Sequence, residues 1–145
     1  MRFHIYFPAF ILSSCAAFGA NAADLWIDVS EMRSGRGDVH VAVYADPKTF
    51  PSSKGMIADV IVPAREKGTE AVFTGLAPGT YALAAYHDEN GDHEFNQIFW
   101  GLPIEGFGFS NGAKVFFGPP DFEEAAVNVG EGVSRIGIAM DYWLQ

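Results

Sequence analysis

The stretch Val39-His40-Val41-Ala42-Val43-Tyr44 decides the fold class. Val39, Val41 and Val43 fall on one side of an extended chain, and His40, Ala42 and Tyr44 on the other. That period of two is the mark of a half-buried strand. Valine at alternate positions reinforces it, because a stiff β-branched side chain suits a pleated surface. Outward from this strand, Trp26-Ile27-Asp28-Val29 reads as the strand before it, joined through the turn Ser34-Gly35-Arg36-Gly37-Asp38. Downstream, Asp59–Val62, Glu70–Phe73 and Thr80–Tyr86 read as strands, the last preceded by the tight turn Ala77-Pro78-Gly79. Lys114–Phe117 reads as a short further strand. Ala125–Val129 and Arg135–Tyr142 close the chain across Gly130-Glu131-Gly132, with Ile136, Ile138 and Met140 on one face of the last strand. No run carries a convincing apolar stripe of helical period over three turns. Pro119–Glu124 begins at most one helical turn, with Asp121 as N-cap and Glu124 three residues on.

Short strands punctuated this often predict an all-β chain, a single immunoglobulin-like or transthyretin-like Greek-key sandwich of about seven strands with a long irregular loop region. The loop region is Asp88–Pro120, where alternation fades and Gly, Asn and aromatic residues take over. A compact domain rarely carries so long a stretch without structure unless it binds something or hides an unrecognised element.

Residues 1–22 stand apart as an export signal. Arg2 and the amino terminus supply positive charge, an apolar core begins at Ile5, and Ala20-Asn21-Ala22 has the small-x-small pattern of a signal-peptidase site. The core contains Pro8 and is short for a stable transmembrane helix, which needs about 20 residues. Leu12-Ser13-Ser14-Cys15 also resembles a lipobox, so a lipid anchor at Cys15 is the alternative processing route. Cys15 is the only cysteine of the chain, so the remainder, residues 23–145, is a single domain of about 123 residues that must fold without disulfides. The expected location is the periplasm or the extracellular space. Losing Arg2 with the signal leaves 8 basic against 18 acidic residues, a formal charge of −10. Such a surface repels nucleic acid and anionic lipid and favours cations or basic partners, while also serving solubility.

The strongest local signal is His87-Asp88-Glu89-Asn90-Gly91-Asp92-His93-Glu94-Phe95-Asn96. Asp88, Asn90 and Asp92 alternate as in the first half of an EF-hand-type calcium loop, Glu94 is placed to offer a carbonyl, and Asn96 a side-chain or water-mediated contact. Two positions depart from that pattern. The usual glycine is His93, and the position of the closing bidentate glutamate is Phe99. Glu105, in the following loop, is the candidate for the missing carboxylate. The competing reading is an Asx-rich turn whose side chains cap their own backbone.

Other chemistries have weaker signals. His87 and His93 are spaced to converge with Asp92 on a zinc ion, while His40 reads as a solvated surface residue. Ser110, in Gly108-Phe109-Ser110-Asn111-Gly112, is read as lying in no nucleophile elbow. Carboxylates such as Asp88, Asp92 and Glu105 could serve a small hydrolase of cell-wall or carbohydrate material. The stretch Phe99–Phe109 carries Phe99, Trp100, Phe107 and Phe109 among three glycines. Such a loop either folds over a sheet and buries its rings, the preferred reading, or offers a stacking platform. Trp143 is expected to pack as well.

Taken together, Gly75-Leu76-Ala77-Pro78-Gly79-Thr80-Tyr81-Ala82, His87-Asp88-Glu89-Asn90, Gly101–Asn111 and Pro119-Pro120-Asp121-Phe122 resemble the exported bacterial proteins grouped as domain of unknown function 2141. The L-x-P-G-x-Y part alone recurs in transthyretin-like and collagen-adhesin-like sandwiches. The resemblance implies an exported β-sandwich and no assigned activity. In relatives the loop usually reads H-D-x-N-x-N-G-x-x-D-x-N. Here His93 replaces glycine, Asn96 replaces aspartate and Ile98 replaces the last asparagine, which implies weaker calcium binding or fewer side-chain ligands. The expected function is therefore non-catalytic: binding calcium, or an envelope protein or glycan, through the loops of 87–120. The alternatives are the carboxylate hydrolase and an accessory domain of an outer-membrane system.

Overall fold

The computed structural model describes residues 22–144. The signal reading, apart from Ala22, and the lipid-anchor reading of Cys15 lie outside the described residues. Eight strands form among them: β1 (Ala23–Ser30), β2 (Asp38–Tyr44), β3 (Met56–Pro63), β4 (Thr69–Leu76), β5 (Gly79–Asp88), β6 (Gly106–Phe109), β7 (Val127–Val129) and β8 (Gly132–Ala139), with one short helix α1 (Phe122–Ala125). They make an all-β sandwich. One sheet is ordered β4-β1-β8, and the other β3-β2-β5-β6, with β7 also on β5. β1 and β8 pair in parallel, from Ala23↔Gly132 to Ser30↔Ala139. The other strand pairs are antiparallel.

The period of two decides which faces meet. Leu25, Ile27 and Val29 of β1, Val39, Val41 and Val43 of β2, and Leu83 of β5 are buried in one cluster between the sheets with Phe73, Ile138 and Met140. Each fully buried Leu, Ile or Val contributes roughly 1.5–3 kcal/mol, so this layer is the main favourable term holding the sheets together. The opposite face of the larger sheet is covered at one end by a second cluster, in which Tyr44 and Ala82 pack under Phe122 and Ala125 of α1. Phe50 stands edge-on to Tyr44, Phe109 and Phe122 there, at centroid distances of 5.1, 5.9 and 5.9 Å. The expected helical turn is α1, and Glu124 reaches back to the Asp121 N–H at 2.9 Å.

The strand expectations need two corrections. Lys114–Phe117 is no strand: it pairs with none of the strands of either sheet. Phe116 and Phe117 stand in solvent instead. β6, inside the stretch expected to be irregular, is the strand that took its place. Its residues Gly106-Phe107-Gly108-Phe109 do alternate, with glycine wherever a side chain has no room. A Cβ at Gly106 would lie 2.3 Å from the Tyr142 ring, and one at Gly108 would lie 2.7 Å from the Ala139 carbonyl oxygen.

Candidate metal centre and the groove beside it

β5 ends at Asp88, and that residue organises the loop that follows. Asp88 is fully buried. Its Oδ1 accepts the Gly91 N–H at 2.7 Å and the Asp92 N–H at 3.3 Å, while Oδ2 accepts the His93 N–H at 2.8 Å. Further turns are laid on the first. Asn90 Oδ1 accepts the Asp92 N–H at 3.0 Å, and Asp92 Oδ1 accepts the Glu94 N–H at 2.9 Å. Asn90 Nδ2 donates to Asp92 Oδ2 and to Asn96 Oδ1, each at 2.9 Å. This is the Asx-turn wrapping expected of a D-x-N-x-D sequence. His93, standing where such loops usually carry glycine, takes the left-handed backbone with φ 62°.

Glu105 comes back to this loop from the residues just before β6. Ligand oxygens of Asp88, Asp92 and Glu105 lie within 4.8 Å of one another. Glu105 is only 5% exposed. Its Oε2 accepts the Asn96 N–H at 3.0 Å, whereas Oε1 is buried without a hydrogen-bond partner. Burial raises the Glu105 pKa, aided by the charges of Asp88, Asp92 and Glu89 and opposed by the Asn96 N–H. Asp92 moves the other way: the Glu94 N–H and the Asn90 and Asn96 amides hold its carboxyl below the usual range, against a smaller effect of burial. Of the six expected ligand residues, three carboxylates therefore converge. Asn90 and Asn96 stand beside them in the loop network, and Glu94 contributes its N–H to Asp92. Convergence of Asp88 and Glu105 carries a repulsion on the order of 3 kcal/mol at an effective dielectric near 20.

The zinc arrangement expected from His87, His93 and Asp92 does not form. β5 runs two residues further than Tyr86, so His87 points into the sandwich and is fully buried. Its Nε2 lies 2.7 Å from the Arg36 carbonyl and its Nδ1 2.7 Å from Tyr142 Oη. Since a carbonyl only accepts, Nε2 carries the proton and Tyr142 donates to Nδ1. Next to it, Glu89 is clamped by the Arg33 guanidinium and the Ser34 hydroxyl. Burial works against ionisation of Glu89, but these donors outweigh it and bring its pKa down to about 2.

His40 is not the solvated residue expected. It lies half-buried under the loop, stacked on Tyr86 at 4.4 Å, with His93 at 5.4 Å. Burial lowers its pKa, against the pull of Asp88. Beyond it opens a groove of about 1120 Å³ on the outer face of the larger sheet, floored by Ala42 and Ala84 and walled by Tyr86, Phe95 and Phe107. None of the three converging carboxylates lines it. Trp100, which lines it, is 98% exposed and its neighbour Phe99 is exposed too, so the preferred burial of the aromatic stretch holds for Phe107 and fails for these two. Gln97 and Pro103 bridge beneath them and turn the hairpin tip outward. Trp143 stacks edge-on against Phe107 at 5.4 Å.

The residues around Ser110 do spell G-x-S-x-G, so letters alone do not dismiss a nucleophile there. Geometry does. Ser110 is fully buried; its Oγ accepts the Leu83 N–H at 2.8 Å and donates to the Ala125 carbonyl, tying β5 to α1.

The family model for domain of unknown function 2141, described as an uncharacterized protein conserved in bacteria, matches residues 27–137. No curated protein and no solved structure matches the chain.

Proposed function

The chain belongs to the bacterial family called domain of unknown function 2141, and from that premise we propose that it is a non-catalytic binding protein of the cell envelope whose 88–105 loop is organised by calcium. The observation that carries this reading is Glu105 Oε1, a carboxylate oxygen buried without a donor beside two further carboxylates. Burying such an atom costs free energy unless a cation or donor meets it. Calcium takes six to eight hard oxygens, and a loop already wrapped around Asp88 needs little rearrangement to present them. Asp88, Asp92 and Glu105 supply the charge, and Asn90, Asn96 and the Glu94 carbonyl complete the set. Export rests on residues 1–22, with Cys15 as the point of a lipid anchor if the lipobox is used. Among the described residues, no helix is long and apolar enough to cross a membrane.

A partner is then taken by the same loops. Trp100, Phe116 and Phe117 line the groove with their rings exposed. Such rings suit a glycan or the apolar face of an envelope protein. The hydrolase reading is disfavoured because Asp88 and Glu105 are closed off from the groove.

The test is the thermal midpoint of chelator-stripped protein titrated with calcium, with magnesium as control. A ligand selective for the folded state raises the midpoint, by about 2.7 kcal/mol of stability at 100 times its Kd. A saturable rise with calcium, absent in Asp92→Ala, supports the reading. No rise at millimolar calcium makes the loop a capped turn.

A further inference from the structure

A second set of ligands lies on the other side of Asp88. Asp88 Oδ2 is 3.5 Å from His40 Nε2 and 3.9 Å from His93 Nδ1, and one ligand atom from each of the three residues falls within 4.8 Å of the others. Two observations independent of proximity point to a cation here. His40 Nε2 is buried and has no hydrogen-bond partner. Its other ring nitrogen, Nδ1, lies 3.0 Å from Tyr86 Oη. With Nδ1–H donated to that oxygen, the Nε2 lone pair is free to ligate an ion in the space it shares with Asp88 Oδ2. A histidine whose second nitrogen is fixed by a hydrogen bond is the usual outer arrangement of a metal-bound imidazole.

We propose that His40 Nε2, His93 Nδ1 and Asp88 Oδ2 form a metal site for a borderline divalent ion such as zinc. Two imidazoles and one carboxylate are the ligand set of open tetrahedral zinc sites, in which neighbouring ligand atoms stand roughly 3.3 Å apart at bond lengths near 2.0–2.1 Å. The two spacings to Asp88 Oδ2, 3.5 and 3.9 Å, exceed that by about 0.2 and 0.6 Å, and His93, whose side chain is 60% exposed, is free to move toward the other two ligands. Oδ2 retains a lone pair for the ion beside the one that accepts the His93 N–H. His40 and His93 both line the groove, so the fourth coordination position opens into it. A groove ligand carrying an oxygen or nitrogen donor would there meet the ion directly. This site takes nitrogen ligands and the calcium loop takes oxygen alone, so the two are chemically separable although they share Asp88.

Tag-free, chelator-stripped protein titrated with cobalt(II), then with zinc in competition, tests the proposal. The expected result is the visible absorption of four-coordinate cobalt, displaced by one equivalent of zinc. His40→Gln and His93→Gln each weaken zinc by more than about 100-fold, beyond the ~10–100-fold loss typical of outer-shell changes. Exposure of His93 makes its variant safe for folding, so a lost signal there reports on the ion. Glu105→Gln keeps four-coordinate cobalt and its displacement by zinc while removing the calcium response, which separates failure of this proposal from failure of the calcium reading. Absence of zinc binding, a purely six-coordinate cobalt spectrum, or affinity that survives both histidine substitutions would overturn it.

Discussion

Glu105 is bound to the backbone of Asn96 through one oxygen, at 3.0 Å, while its other oxygen is buried with no donor to meet it, and its carboxylate comes within 4.8 Å of those of Asp88 and Asp92. The relationship joins two segments that the sequence separates by the exposed hairpin of Phe99 and Trp100. It makes the acidic loop and the residues before β6 one structural unit.

The His87–Tyr142 pair closes the sandwich at the same end. Tyr142→Phe leaves His87 Nδ1 buried without a donor and the Arg33 N–H without its 3.3 Å acceptor. We expect a loss of about 1–3 kcal/mol, read from urea unfolding at pH 7. A loss under 0.5 kcal/mol would mean that water replaces the hydroxyl.

The Glu89 clamp sets the acid response. Its pKa is about 2 in the folded state against an ordinary 4.5. A depressed carboxyl contributes stability that is fully present above the unfolded value and lost as pH falls through the folded one. Stability should therefore decline between pH 4.5 and 2, and Glu89→Gln should flatten that part of the curve. An unchanged slope in a pH series of urea melts would assign the acid loss to other groups.

Gly37 holds the start of β2 against the end of β5. Its φ is +68°, and a Cβ there would lie 1.9 Å from the Asp88 carbonyl oxygen. Gly37→Ala should cost about 3 kcal/mol or more through strain and displacement of Asp88. Circular dichroism melts of the variant, with and without calcium, give the measure. A melt like that of the parent protein would show that the two strand ends part easily.

The exposed rings behave differently. Trp100→Ser and Phe117→Ser remove side chains that touch solvent, so stability should stay within about 0.5 kcal/mol. Binding of a partner by the groove should suffer instead, measured as reduced retention of envelope glycan or protein on the immobilised variant relative to the parent protein. A large loss of stability would mean that the rings support the fold.

How much of this was legible follows from what alternation can and cannot report. Val39–Tyr44 declared its strand because one face is apolar and the other is not. Gly106–Phe109 hid its strand because glycine stands where Tyr142 and the end of β8 press on the backbone, and such contacts are invisible in one dimension. Lys114–Phe117 misled because a strand needs a partner to pair with, which its own letters do not report, and here its two phenylalanines stand in solvent instead. Asp88, Asn90 and Asp92 were readable as a loop from their spacing, and Glu105 was reachable as the nearest spare carboxylate downstream. His40 was not reachable. It sits 48 residues before Asp88 and meets it only through the register that pairs His40 with Tyr86. His93, conversely, adopts the backbone of the glycine it replaces, so the departure from the loop pattern changed a side chain and left the turn intact.

The most direct measurement is isothermal titration calorimetry of calcium into chelator-stripped protein, beside the same titration of Glu105→Gln. One saturable site in the parent protein, weakened at least about tenfold by the neutral amide, which is a loss of roughly 1.4 kcal/mol, is the result this account requires. No saturable heat at millimolar calcium, or equal affinity in the two proteins, would contradict it.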